Sequence, residues 1–472
     1  MIFIAYAHTS DSSIKSSMGA ADYSYYFVLK RYIPVLKALG TLIQIAEPER
    51  ELDEIVSAAK LARLPCVFLQ FSPPHKIYPH FACPSISVFA WEYTSVPTDS
   101  WGGDEWNDWR KGLHLSGAAI THSKMAVSAV KTAMGESYPI VDVAAPLWNT
   151  FEAVKTGYGD ALVNLKYDGC FFDSWQANFN VAEKQVEECE GFISRDGPQD
   201  VALEGIVYTS VFCPIDGRKN WGDLVSAFCY AFRDKAEATL VLKTIHFDDL
   251  EGLRETLPIL CKNTPFKCRI VIIAGFLSSE TYQDLIRASS YIVNSSYGEG
   301  QCLPLMEFMS AGVPAIAPAH SAMADYVSAK SGFPLESSPE WTHWPHDPRI
   351  LLKTMRFRLN WESLRQAYVD SFELRREGGA AYSALQQGAK SSLYDYCSEQ
   401  EAQKKLREFF SNTFRLKDSD LALRPIARSR QVVFYLALML VRLSSPDRWR
   451  PIIRRNKEKV RRALSIAKAK LG

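Results

Sequence analysis

The chain has 472 residues and a mass of 53.2 kDa, enough for two large α/β domains with an appendage and too much for one small module. At 47% hydrophobic and 23% charged residues it has the composition of an ordinary globular protein, which excludes disordered and fibrous classes. Lys plus Arg (54) nearly cancels Asp plus Glu (53), so there is no overall electrostatic case for a nucleic-acid partner.

The basic character is local. Residues 442–472 hold 11 basic and 2 acidic side chains, leaving 43 basic and 51 acidic in the remainder. The ten cysteines form no C-x-x-C pair and read as reduced thiols of a cytoplasmic protein. The N-terminus lacks the cationic start and apolar run of a signal peptide and reads as a buried strand. The late apolar run at 432–441 is about half the ~20 residues a membrane-crossing helix needs. No zinc-ligand spacing, G-x-x-x-x-G-K-[ST] or G-x-G-x-x-G string occurs, and Asp418-Ser419-Asp420 follows a polar helical stretch instead of a strand.

In chain order, short β-branched runs alternate with helix-period segments, the pattern of parallel sheets with crossover helices. The first set of predicted strands is 2–7, 41–46, 65–71, 85–90, 118–123 and 138–145. Mixed polar and aromatic content at 149–200 interrupts the rhythm and reads as an insertion or linker. A second set follows at 205–212, 238–244, 269–275, 291–296 and 314–319. The fold class is therefore α/β, with two doubly wound sheets facing a cleft and offering ligand loops at their strand C-termini. The expected domains are 1–200 and 201–385, with W-P-H-D-P (344–348) and N-W-E-S-L (360–364) each preceding a helix, then helices at 386–415 that return to the first domain and a basic amphipathic tail at 416–472.

The most informative segment is 294–327, N-S-S-Y-G-E-G-Q-C-L-P-L-M-E-F-M-S-A-G-V-P followed by another strand. A strand ends, Gly298 and Gly300 open a loop, and Pro304 stands where a first helical turn accepts proline. The N–H groups of Gln301, Cys302 and Leu303 would then face an anion at the helix start. Glu299 lies in the loop and Glu307 one turn into the helix, and both are good acceptors for sugar or ribose hydroxyls.

This string resembles the donor-site signature of glycosyltransferase family 4, retaining nucleotide-sugar enzymes of the GT-B fold. By that resemblance Glu299 approaches the transferred sugar and the leaving phosphate, and Glu307 binds the nucleotide ribose. Arg218 and Lys219, in V-F-C-P-I-D-G-R-K-N-W, match the family's diphosphate-neutralising pair. Lys243 is a third candidate cation, or a solvated strand end. Phe276 and Leu277, after the strand R-I-V-I-I-A, fall where the family holds the nucleobase. His320, Ser321 and Asp325 support the fold only.

In the first domain the resemblance points to the loop 9–22, where Gly19 permits close approach to the donor phosphate. Where many relatives place a His, this chain has Glu92 between Trp91 and Trp101. Glu92 either accepts a hydrogen bond from an acceptor hydroxyl while an aromatic face stacks on a sugar, or fixes its loop. His122, where a strand meets a helix, reads as structural. The resemblance implies a metal-independent retaining transferase without cofactor, taking a UDP- or GDP-sugar to a glycan or glycolipid acceptor. A non-catalytic nucleotide-sugar-binding scaffold is the alternative. The tail either lies on the inner face of an anionic membrane or packs its apolar run on the protein while its basic helix stays solvated.

Overall fold

In the computed structural model the described residues are 1–9, 23–80, 82–156, 163–175, 194–244, 266–414 and 428–444. Six strands make the first sheet: β1 (Ile2–Ala7), β2 (Thr41–Gln44), β3 (Cys66–Phe71), β4 (Ser85–Val88), β5 (Ala119–Thr121) and β6 (Ile140–Asp142). They run parallel in the order β2-β1-β3-β4-β5-β6. Both faces are covered, which is why strands such as Ile-Phe-Ile-Ala-Tyr-Ala read as unbroken apolar runs. One face packs on the helix Tyr23–Leu39 through Val28, Tyr32, Val35 and Leu36, and the other on Pro48–Leu61 through Leu52, Ile55 and Val56.

The second sheet comprises β7 (Val163–Asp173), β8 (Ser194–Leu203), β9 (Ile206–Val211), β10 (Ala238–Thr244), β11 (Arg269–Ala274), β12 (Tyr291–Val293), β13 (Ala315–Pro318) and β14 (Gly332–Leu335). Its order is β14-β13-β12-β9-β10-β11-β7-β8. From β9 the chain builds outward through β10 and β11, then returns to the other side of β9 with β12. That reversal is a topological switch point, where open α/β sheets place their ligands.

Two expectations are corrected. The segment 149–200 is not an insertion of the first domain: β7 pairs antiparallel with β11, and β8 with β7, so both extend the second sheet and the boundary expected at 200 falls before β7. The cause is alternation in Val-Asn-Leu-Lys-Tyr-Asp, where Leu165 and Tyr167 enter the core and their neighbours face solvent. Trp344-Pro345-His346-Asp347-Pro348, expected before a helix, instead turns the chain between β15 (Ser337–His343) and β16 (Lys353–Leu359), an antiparallel hairpin. Asn360 does cap a helix, Trp361–Glu377, by accepting from Glu362 N at 3.0 Å.

For the tail, the apolar run follows the second of its two readings and packs on the protein. The helix Arg428–Ser444 buries Phe434 and Ala437 against Leu52, Ile55 and Phe68 of the first domain, and Arg442 Nε donates to Glu54 Oε2 at 2.9 Å. The apolar face of the run 432–441 is thus covered by protein, with Val432 and Tyr435 on the outer side. Residues 416–427 and 445–472, with most of the basic cluster, lie outside the described residues. Among the described residues no helix is long and apolar enough to cross a membrane.

After Trp361–Glu377, the helix Gly379–Cys397 packs on the second domain through Ala389 and Leu393. The helix Glu399–Phe414 then crosses to the first, inserting Leu406, Phe409 and Phe410 beside Phe3. Lys405 reaches Asp142 at 2.8 Å. Packing of the tail helix predicts that Phe434→Ala lowers the melting temperature of the full chain by several degrees, since emptying such a site costs about 3 kcal/mol. An unchanged melting temperature would sink that packing.

Candidate active site

The loops that follow β9 and β12 meet because these strands are neighbours. At their meeting point lies Glu299, only 3% exposed. Lys219 Nζ donates to its Oε1 at 2.7 Å and Arg218 Nη1 to its Oε2 at 3.0 Å. Ser296 Oγ adds a 2.6 Å bond and Asn294 Nδ2 one of 3.3 Å, both to Oε1. Burial by itself would raise this carboxyl's pKa; the charges of Lys219 and Arg218 outweigh it and hold the group well below the usual carboxylate range.

Arg218 ties several elements together. Its Nη1 also donates to Gly298 O at 2.5 Å, its Nη2 to Asp216 Oδ2 at 2.8 Å, and its Nε lies 3.6 Å from Glu92 Oε1 in the first domain. Burial opposes its charge, but Glu299, Glu92 and Asp216 together hold the guanidinium above its ordinary value. The sequence-predicted Arg218, Lys219, Glu92 and Glu299 are thus brought into one cluster spanning both domains.

The two glycines of G-E-G are explained by space. A Cβ on Gly298 would stand 2.8 Å from Glu92 O, and one on Gly300 would stand 2.9 Å from Ala90 Cβ and 3.1 Å from Trp91 N. The first-domain loop after β4 therefore rests directly on the second-domain loop. Gln301 does similar work: its Oε1 accepts from Ala145 N at 2.9 Å across the domains. Cys302 and Leu303 stand at the start of the helix Leu303–Ala311 as expected. Burial pushes the Cys302 thiol up to about 12.

Backbone strain concentrates here. Five non-glycine residues among those described have positive φ, and three of them surround Glu299: Asn220 at 49°, Cys302 at 61° and Ser321 at 50°. Each such conformation costs on the order of 1 kcal/mol and persists only where its surroundings impose it. Ser321 Oγ accepts from Glu299 N at 2.9 Å, and Glu299 O accepts from Ala322 N at 3.2 Å, so the loop after β13 fixes the glutamate's backbone.

The remaining candidates are placed less directly. Glu307 accepts from Tyr282 OH at 2.8 Å and lies 3.6 Å from Arg31 Nη2; burial raises its pKa, with Arg31 and Tyr282 opposing. Lys243 is buried, donates to Thr244 O and Gly275 O at 2.5 and 2.6 Å, and is lowered by burial to about 7. It is neither a solvated strand end nor aimed at the Glu299 cluster by any of its bonds. Phe276 is 60% exposed beside the strand ends, whereas the Leu277 side chain is buried in the core. Gly19 lies outside the described residues.

Trp91 is also corrected. Its indole is packed against Trp109 at 4.5 Å and donates to Ser95 O, so it has no face for a sugar. Trp101 stacks under Arg349 at 4.7 Å. His122 is buried with Nδ1 on Val143 O at 2.8 Å, as a structural residue would be. Sequence reasoning passed over His320 as a site residue. Its ring lies flat on Phe357 at 4.6 Å, burial lowers it to about 4, and Nε2 has no partner among the described residues. Its position directly after β13, at the sheet edge that carries Glu299, was the available signal. Among the described residues no group of three His, Cys, Asp or Glu side chains is arranged to hold a metal ion.

The depressed Glu299 carboxyl yields a pH prediction. Its stabilisation is complete above the unfolded value of about 4.3 and is lost as pH falls toward the lower folded value. Glu299→Gln should destabilise the chain at pH 7 by about 3 kcal/mol, because the largely covered Lys219 loses its carboxylate and Arg218 one of its three. In urea unfolding across pH 3 to 7 this gap should stay level above pH 5 and narrow below pH 4. A gap constant down to pH 3 contradicts the assigned charge state.

No protein-family model matches the chain, and no curated protein matches it. Among solved structures it is similar to a glycosyltransferase from Rickettsia africae, with a TM-score of 0.51 at 12% identity over 88% of this chain and 99% of that one. It is also similar to HepE from Anabaena in complex with UDP and glucose, with a TM-score of 0.49 at 10% identity over 87% and 100% of the two chains. For TarM from S. aureus the TM-score is 0.45 at 10% identity, over 73% of this chain and 55% of that one. The chain thus spans about half of the length of TarM. The Rickettsia likeness and the two facing Rossmann-like sheets agree on the architecture: the chain has the GT-B fold.

Proposed function

We propose that the chain is a metal-independent retaining glycosyltransferase that moves a sugar from a UDP- or GDP-sugar to a glycan or glycolipid acceptor. The observation that carries the reading is the buried Glu299 carboxylate, held ionised by Lys219 and Arg218 at the switch point of the second sheet, with Arg218 also 3.6 Å from Glu92 of the first. Proteins similar in fold carry UDP, and HepE carries UDP with glucose.

In this reading Lys219, Arg218 and the N-terminus of the helix Leu303–Ala311 stabilise the departing diphosphate, so a metal is not required. Glu299 lies by the transferred sugar, Glu307 takes the ribose, and the exposed Phe276 ring offers an apolar contact to the base. Glu92 accepts a hydrogen bond from the acceptor hydroxyl. The acceptor attacks on the face the phosphate leaves, and a phosphate oxygen takes its proton.

One observation favours a second reading, a nucleotide-sugar-binding protein without turnover. Arg218 and Lys219 already face three carboxylates, Glu299, Asp216 and Glu92, so a diphosphate must compete for their charge.

The two readings separate in a panel of UDP-glucose, UDP-N-acetylglucosamine and GDP-mannose, with release of nucleotide measured with and without EDTA. The expected outcome is EDTA-insensitive turnover of one donor, reduced about 100-fold or more in Glu299→Ala. A nucleotide that raises the melting temperature without any turnover would move the conclusion to the second reading. Unchanged turnover in Glu299→Ala would remove Glu299 from the chemistry.

A further inference from the structure

The β15–β16 hairpin is rooted in the second domain. Its last residue, Leu359, sits in that domain's core, and Asn360 N donates to Glu336 O at 2.9 Å to close the base. Its far end lies in the other domain. Trp344 and Leu352 are buried with Trp91, Tyr93, Val96 and Trp109 of the first domain, and Trp344 stands 5.8 Å from Trp91 with the rings edge to face. Arg349 lies 3.8 Å from Asp99 and over the Trp101 ring.

Between these ends, β16 touches both catalytic loops. Toward the first domain, Ser95 Oγ donates to Lys353 O at 3.0 Å and Met355 N donates to Thr94 Oγ1 at 3.2 Å, three and two residues from Glu92. Toward the second, Phe357 N donates to Tyr297 O at 2.8 Å, Arg356 stacks on the Tyr297 ring at 4.8 Å, and Phe357 lies flat on His320. Tyr297 is two residues from Glu299. One short strand therefore grips the loop that carries Glu92 and the loop that carries Glu299.

The turn is built to be stiff. Asp347 accepts from Arg349 N and Nε at 3.0 and 2.9 Å through Oδ1 and from Leu352 N at 2.8 Å through Oδ2. A turn closed in this way delivers Trp344 to one place.

We propose that the hairpin is a strap that sets the position of the Glu92 loop against the Glu299 loop, with Trp344 as its positioning residue. The inference rests on the reading of Glu92 as the acceptor-side group. Trp344→Ala cuts the strap's first-domain end while leaving Phe357 and Arg356 on Tyr297, so it separates the acceptor half of the site from the donor half.

The test uses the full chain as parent, Trp344→Ala, Trp344→Phe and Ser95→Ala. Amide hydrogen exchange in peptides covering 89–101 should rise at least tenfold in Trp344→Ala and return most of the way in Trp344→Phe, with strands of both sheets unchanged. The melting-temperature shift given by UDP should be kept. With the panel donor that turns over, kcat should fall tenfold or more while donor KM stays within twofold.

Faster exchange confined to 337–359, or an unchanged kcat, overturns the proposal. If Trp344→Ala does not fold, Ser95→Ala removes one hydroxyl of the same contact and should show the same pattern at smaller amplitude; no change in 89–101 then overturns it. If the parent turns over no donor, the proposed function fails while the exchange measurement still decides the strap.

Discussion

Everything around the cleft depends on keeping one carboxylate charged away from water. An ionised glutamate this deeply buried is unfavourable unless it is paired and hydrogen-bonded. Arg218 and Lys219 must therefore be carried to it by a neighbouring strand, and Ser296 and Asn294 by its own loop. The strained backbones at Asn220, Cys302 and Ser321 belong to the same requirement, since each lies in a loop that must bend sharply to reach the carboxylate or its backbone. Removing the charge would leave two cations and three distorted turns without the group that justifies them.

The same cluster couples the two domains. Arg218 faces Glu92, Gln301 takes the Ala145 amide, and Asp325 Oδ2 accepts from Lys124 N at 3.0 Å, capping a first-domain helix from the second domain. Tyr396 OH adds a bond to His122 O at 2.6 Å from the returning helices. Polar side chains at strand ends thus do at the cleft what apolar side chains do in the cores. Contacts of this kind demand defined geometry, because each donor or acceptor left unpaired after a small shift is expensive.

The sequence made the strands and the Arg218, Lys219 and Glu299 cluster legible because both rest on local signals. Buried parallel strands appear as apolar runs, and G-E-G before L-P-L-M-E is a compact string. Three features escaped because their causes are distant. The polar alternation of 163–173 becomes a strand only through the edge of β11. The strand character of 337–359 depends on its pairing across the hairpin, which W-P-H-D-P does not announce. Trp91 looks like a sugar platform in the chain and becomes core only when Trp109 and Trp344 arrive, 18 and 253 positions away.

The outer strands have a consequence for how the molecule meets its own kind. The second sheet ends on β14, which carries Pro334, and on β8, which carries Pro198 and the exposed Asp200. The first sheet ends on β2 and β6, only four and three residues long. Proline and charge on an outer strand, or sheer brevity, deny a neighbour the ladder of backbone donors and acceptors needed for sheet extension. At these four edges a second copy of the chain therefore finds little purchase for strand-to-strand polymerisation.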